Sequence, residues 1–212
     1  MGGPGVRRWR RPTVAGAFRG ADVGWAYAAV VVVVAIVVRV LPGTRPQDLV
    51  LDTSTNLDNL RHTPLLVLGA SAFVVWPLWG LWILAPLVLV FGAAQRWLGR
   101  TATIIVAVLG HVGATLFVAV LLAAGINDGV VDPAIAREPD VGVSYGLAAV
   151  AGLLAGRVPR RLRPWYVLGL LVVTAGPLGL DTDVTGVGHV LAALLGFALA
   201  VLTTRAARRP PS

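Results

Sequence analysis

The chain has 212 residues, of which 57% are hydrophobic and only 13% are charged, and its formal net charge is +8 at pH 7. Several apolar runs reach the roughly 18 to 20 residues that cross a bilayer as a helix, which excludes a soluble domain and indicates an all-α, polytopic membrane protein. The chain contains no cysteine, which excludes disulfides, iron–sulfur clusters and thiolate zinc sites.

The chain begins with a basic segment, residues 1–23, that we expect in the cytoplasm. Its RRWRRP start before an apolar run is also typical of an export signal. The residues after the run read VLPGTRPQD, however, and contain no small-residue cleavage site, so the run is predicted to stay as the first membrane span, at about 24–41. A polar loop follows, and then the apolar stretch TPLLVLGA (63–70), which is predicted to be interfacial or partly embedded.

Five further spans are predicted from apolar length and helix breakers, which makes six spans in all. The fourth and fifth are short, and an arginine-rich turn, RVPRRLRP (157–164), joins them. The sequence therefore predicts one six-helix membrane domain, 24–205, with a short tail, 206–212, and no separate soluble domain. The five spans lie at about 72–94, 102–124, 142–157, 164–180 and 186–204.

The orientation follows from the arginines, because loops rich in positive charge stay on the cytoplasmic side. All 18 basic residues are arginine, and 14 of them fall in the segments that are cytoplasmic if the N-terminus is cytoplasmic. Both termini are therefore predicted to be cytoplasmic, in a multi-pass protein of a bacterial plasma (inner) membrane. The same distribution explains the positive charge as topology and attraction to the inner leaflet, so we expect the lipid bilayer and no nucleic acid as a partner.

Two polar side chains lie at matching depths in the fourth and sixth predicted spans. Ser144 lies four residues past Asp140, and His189 lies six past Asp183. At about 1.5 Å of rise per residue, both lie roughly 6 to 9 Å below the outer boundary. Each begins a stripe of small residues that would let the two helices approach closely in lipid. The stripes are Ala148, Gly152 and Gly156 on the fourth helix, and Ala192 or Ala193, Gly196 and Ala200 on the sixth.

A serine and a histidine that meet in a water-accessible pocket form a minimal nucleophile and base pair. The imidazole takes the hydroxyl proton during attack on a carbonyl and later returns it to the leaving amine. The predicted catalytic residues are thus Ser144 and His189, and the predicted reaction is acyl transfer to water. The three histidines lack metal-ligand spacing and no nucleotide-binding glycine loop is present, so no metal or cofactor is expected.

The motifs GVSYG (142–146) and HVLAALLG (189–196) resemble those of the rhomboid intramembrane serine proteases, which read G-x-S-G in the fourth helix and H-x-x-G-x-x-x-G in the sixth. The stretch FGAAQRWLG (91–99) is also similar to the end of that family's second helix. The resemblance covers about residues 25–205 and implies the rhomboid helical bundle. It further implies a Ser144–His189 dyad without a carboxylate, and transmembrane segments of membrane proteins as substrates.

The chain departs from the family pattern at the residues that would stabilise an oxyanion. Tyr145 stands where the family has glycine, and Trp79 and Ile83 stand where its second helix has a His-x-x-x-Asn pair. Losing one oxyanion donor costs on the order of 100- to 1000-fold in rate. The Ser144 backbone N–H remains, and other candidate donors on the outer side are Asn56, Asn59, His62 and Asn127.

Three functions are compatible with these residues. The leading prediction is an intramembrane serine endopeptidase that hydrolyses peptide bonds in or near transmembrane segments. The second is a catalytically inactive rhomboid-like protein that binds transmembrane segments, and the third is an unrelated protein that handles lipid or a small solute. His111 is expected near mid-bilayer, hydrogen-bonded to a neighbouring helix, and Asp181 and Asp183 are expected to be solvated rather than to orient His189. The sequence leaves the oligomeric state open.

Overall fold

The computed structural model describes residues 20–176 and 184–206. All regular structure within these two ranges is helical, with nine α-helices and two short 3₁₀ helices, at Leu78–Ile83 and Pro133–Arg137. The α-helices are α1 (Asp22–Val40), α2 (Pro46–Thr53), α3 (Leu57–His62), α4 (Pro64–Ser71), α5 (Leu84–Leu98), α6 (Arg100–Asn127), α7 (Val143–Leu154), α8 (Arg163–Ala175) and α9 (Val184–Ala206). The predicted N-terminal segment up to residue 19, the tail from 207, and Asp181 and Asp183 lie outside the described residues.

The short helices begin where the sequence supplies a suitable residue. Proline, whose missing N–H would be unpaired in a first turn anyway, opens α2 at Pro46 and α4 at Pro64. The side chain of Asn56 accepts a hydrogen bond from the Asn59 N–H at the start of α3. Between α5 and α6 the chain turns at Gly99, whose φ of 86° favours glycine.

Four helical segments in the described residues are long and apolar enough to cross a membrane: Asp22–Val40, Trp79–Leu98, Arg100–Asn127 and Thr185–Thr203. The chain is therefore a multi-pass membrane protein. Helices α7 and α8, at the predicted fourth and fifth spans, are apolar but have only 12 and 13 residues. The second span also differs from the predicted 72–94, because Pro77 precedes a 3₁₀ turn and the regular helix starts only at Leu84.

The core of the bundle is built around α7. This helix packs against α6 and α9, with further contacts to α5 and α8, and nine of its twelve residues are buried. Its sequence is apolar all round, as expected for a helix that is surrounded by other helices. Helix α1 packs instead on α5, at the side of the bundle.

One end of the bundle carries arginines and the other carries the segment from α2 to α4. Arg96 lies in the last turn of α5 and Arg100 is the first residue of α6. The turn from α7 to α8 lies at the same end of the bundle, which we call the arginine-rich end. At the opposite end, the Thr55 N–H donates to the Asp140 carbonyl at 2.9 Å. Arg137 donates to Asp58 at 2.8 Å, and this hydrogen bond holds the pKa of the exposed Asp58 carboxyl below its usual range.

Candidate functional site

Helices α7 and α9 approach each other through glycine and alanine. A Cβ built on Gly196 would lie only 2.1 Å from the Ala149 carbonyl oxygen, and one on Gly152 would lie 2.3 Å from the Ala193 carbonyl oxygen. Close packing of the predicted fourth and sixth helices through small residues is thus confirmed. The stripe on α7 is different, because Tyr145, Ala149 and Gly152 face α9, in place of a stripe that begins at Ser144.

The fully buried Tyr145 occupies the end of this seam. Its ring meets the ring of His189 edge-on, with centroids 5.0 Å apart, and its hydroxyl donates to Asp140 Oδ1 at 2.8 Å. Gly188 makes room for it, since a Cβ there would lie 2.4 Å from the phenol oxygen. Tyr145 therefore joins α7, α9 and the chain segment before α7.

Asp140 extends this contact to the turn between α2 and α3. Its second carboxylate oxygen, Oδ2, accepts a hydrogen bond from the Thr55 hydroxyl at 3.2 Å. Sequence reasoning placed Asp140 only as a boundary marker for the span. The sequence does place Asp140 five residues before Tyr145, just ahead of the first turn of α7, so a contact between the two side chains is short in sequence.

The predicted nucleophile lies on a different side of α7. Ser144, Leu147 and Leu154 are half-buried, whereas the other residues of the helix are buried, so these three mark its partly open stripe. At 3.6 residues per turn, adjacent residues point about 100° apart, which separates Ser144 from the Tyr145 stripe. Among the described residues no hydrogen bond joins Ser144 to His189, and the Ser144 hydroxyl makes no other hydrogen bond within them.

The side chains of the four candidate oxyanion donors each make a hydrogen bond to a residue nearby in sequence. Asn56 donates to the Ser54 hydroxyl at 3.0 Å, and Asn59 donates to the Leu51 carbonyl at 2.6 Å. His62 Nδ1 lies 2.7 Å from the Asp58 carbonyl oxygen, and Asn127 contacts the neighbouring Asp128 at 3.4 Å. These bonds hold the four side chains within the loops and helix ends, and none of them donates to Ser144 within the described residues.

His111 is a buried connection between helices. Its Nε2 lies 2.9 Å from the Leu68 carbonyl oxygen in α4 and 3.3 Å from the Ser71 hydroxyl, which confirms the expected bond to a neighbouring helix. Gly142 makes room for the ring, since a Cβ there would lie 1.9 Å from its Cε1 carbon. The Gly142 N–H in turn donates to the Ser71 carbonyl at 3.0 Å. Because Nε2 faces a carbonyl, it carries the proton.

Gln95, in the stretch FGAAQRWLG, joins α1 to α5. Its side-chain oxygen accepts from the Val23 N–H at 3.1 Å, and its amide donates to the Asp22 carboxylate. Arg100 donates to the other oxygen of the same carboxylate at 2.6 Å. One amide thus satisfies an unpaired donor in the first turn of α1, a role that the motif alone did not reveal.

We expect Tyr145→Phe to destabilise the end of the bundle that contains Asp140. The substitution keeps the ring that packs on His189 but removes the hydroxyl that donates to Asp140, and a hydrogen bond to a charged group contributes about 1.5 to 3 kcal/mol. The free energy of unfolding in mixed micelles should fall by about that amount. In an Asp140→Asn background the same change should cost less, and an equal cost in both backgrounds would contradict the assigned bond.

Comparison with known proteins gives one match. A family model described as rhomboid-like protein matches residues 17–209, which include α7, α9 and every residue of the site described above. No curated protein and no solved structure matches the chain.

Proposed function

The chain belongs to the rhomboid-like family, and from this premise we propose that it binds transmembrane segments of other membrane proteins without cleaving them in the arrangement described. The observation that carries the proposal is the division of α7 into two stripes. The Tyr145 stripe contacts His189, whereas the partly open stripe bears Ser144. A nucleophile and a base must come within hydrogen-bond reach, and here His189 of α9 meets the Tyr145 stripe of α7, about 100° around that helix from Ser144.

The Ser144 stripe is where we place the bound segment. Ser144, Leu147 and Leu154 are half-buried on a helix that is otherwise closed in by its neighbours. Helix α5 packs on α1, α6 and α7, while α8 packs mainly on α9, so α7 lies between two elements that make little contact with each other. A helix from the bilayer that entered between α5 and α8 would meet this stripe.

We also propose the orientation and location that the arginines predict. Arg96 and Arg100, together with the arginines of the turn between α7 and α8, would face the cytoplasm, with both termini on the same side of a bacterial plasma membrane. Residues 24–205 would then form one membrane domain. The bound segment would approach Ser144 near the outer surface.

Site-directed photo-cross-linking tests the binding proposal. We would place benzoylphenylalanine at Leu147, on the partly open stripe, and at the exposed Leu202 of α9 as a matched lipid-facing control. The probe is a synthetic leucine–alanine transmembrane peptide in phosphatidylcholine vesicles. Cross-links from position 147 should exceed those from position 202 several-fold, and equal yields would show only random encounters in the bilayer.

Hydrolysis by Ser144 and His189 is the second candidate function, and one observation favours it. A serine in a membrane helix usually bonds back to a carbonyl of its own helix, as Thr103 and Thr174 do here at 2.9 Å. The Ser144 hydroxyl makes no such bond within the described residues. In this function Ser144 attacks the peptide carbonyl while His189 takes its proton, after the ring of Tyr145 has left His189. Cleavage of a membrane-embedded peptide by the wild type but not by Ser144→Ala would establish it.

A further inference from the structure

A lateral groove of about 710 Å³ separates α1 from α6. It exists because α1 packs on α5, whereas α6 packs on α7 and α9. Its walls are two helical stripes, Val23, Ala26 and Val30 on α1 and Ile104, Val108 and Val112 on α6. The groove is part of neither the α7–α9 seam nor the Ser144 stripe.

Polar bonds close both ends of the groove. At the arginine-rich end, the Asp22 carboxylate is held between Gln95 and Arg100. At the other end α4 crosses the groove, where the Tyr27 hydroxyl of α1 donates to the Ala72 carbonyl at 2.6 Å and His111 of α6 bonds the Leu68 carbonyl. These bonds engage Asp22, the Tyr27 hydroxyl and His111 Nε2, and the other lining residues are apolar, so the groove offers its occupant a largely apolar interior.

The length of the groove matches one leaflet of a bilayer. From Ile104 to Val112 is eight residues, or about 12 Å of helix, and half of a hydrocarbon core of about 30 Å is about 15 Å. A transmembrane helix would have to continue past α4, where Leu65 projects outward with 85% of its surface exposed. An acyl chain that starts at the arginine-rich end can end before α4, so it fits within the groove.

The exposed guanidinium of Arg100 at the arginine-rich end favours a phosphate. Arg100 bonds Asp22 through Nε, its side chain is 69% exposed, and its terminal nitrogens make no hydrogen bond within the described residues. The Asp22 carboxylate accepts hydrogen bonds from the Gln95 amide and from Arg100 Nε, which leaves the terminal nitrogens of Arg100 available to a second acceptor. Arginine recognises phosphate through such terminal nitrogens. We propose that the groove binds one phospholipid of this leaflet, with an acyl chain between α1 and α6 and its phosphate at Arg100.

Native mass spectrometry of the delipidated, detergent-solubilised protein tests the proposal. The probes are phosphatidylglycerol, diacylglycerol with the same chains, and inorganic phosphate. Ala26→Phe fills the groove from an exposed position, and Ala29→Phe, also exposed on α1 but outside the lining, is its matched control. Arg100→Gln removes the phosphate contact, and Arg161→Gln removes an exposed arginine elsewhere at the same end.

Phosphatidylglycerol should bind the wild type and both controls equally. Ala26→Phe and Arg100→Gln should each weaken its binding by about tenfold, and diacylglycerol should bind more weakly than phosphatidylglycerol. Equal binding to Ala26→Phe and Ala29→Phe would overturn the groove as the site. Diacylglycerol that binds as tightly as phosphatidylglycerol would contradict recognition of the phosphate. Displacement of the lipid by inorganic phosphate would contradict recognition of the acyl chain. Size-exclusion chromatography of each variant confirms that it is folded.

Discussion

Gly196→Val should be among the most destabilising substitutions in the protein. A Cβ at this position would lie 2.1 Å from the Ala149 carbonyl oxygen and 2.8 Å from the Leu153 nitrogen. Both are backbone atoms, so no side-chain rotation can relieve the overlap, and α7 and α9 would have to separate along the seam. Ordinary overpacking of a core costs about 1 to 3 kcal/mol, and we expect a loss of unfolding free energy at or above the upper limit.

The matched control for Gly196→Val is Gly169→Val. Gly169 also lies within an apolar helix, α8, but a Cβ there would meet no atom within 4 Å. Both substitutions change helix propensity in the same way, so their difference isolates the steric term. Unfolding in mixed micelles of increasing sodium dodecyl sulfate measures both. Equal losses would show that α7 and α9 are not in backbone contact.

Gly142→Ala should have the second large effect, through His111. The new methyl group would overlap the imidazole, with 1.9 Å to Cε1 and 2.0 Å to Nδ1. The ring would have to leave its place, and its bond to the Leu68 carbonyl would break. Leaving that buried carbonyl without its partner costs about 1 to 3 kcal/mol, in addition to the repacking around α4.

A double-mutant cycle makes this prediction specific. In His111→Ala the ring is already absent, so the methyl group of Gly142→Ala has space. The double variant should therefore be about as stable as His111→Ala alone, which is a strongly non-additive result. Additive losses would mean that Gly142 is required for the backbone conformation before α7 and not for the ring of His111.

The helical content of this chain could be predicted because it depends on local patterns. Apolar length predicted the four long spans, and small residues at every fourth position predicted that α7 and α9 touch. The resemblance of the motifs to the rhomboid family is confirmed by the family match over residues 17–209. Helix ends were harder to predict, because the start of α5 depends on the local conformation after Pro77.

The candidate site could be predicted only in part. The stripe of α7 that faces α9 is the one that fills the space beside two glycines of α9. The ring of Tyr145 lies at Gly188, and the backbone of Ala149 and Leu153 lies at Gly196. Ser144 and Tyr145 are adjacent in sequence, so a rotation of about 100° exchanges their environments. Periodicity alone does not distinguish two such stripes on a helix that is apolar all round. The contacts of Asp140 with Thr55 and of Gln95 with Val23 each join residues more than 70 positions apart, which local patterns do not reveal.

Fluorophosphonate labelling distinguishes a Ser144 that lies outside the α7–α9 seam from a serine that His189 activates. The experiment compares folded wild-type protein, Ser144→Ala and His189→Ala in detergent, with an active serine hydrolase as positive control. An activated serine reacts with the probe, whereas an ordinary hydroxyl does not. We predict no labelling of the wild type above the level of Ser144→Ala. Labelling of the wild type that disappears in both variants would contradict this account and establish a Ser144–His189 dyad.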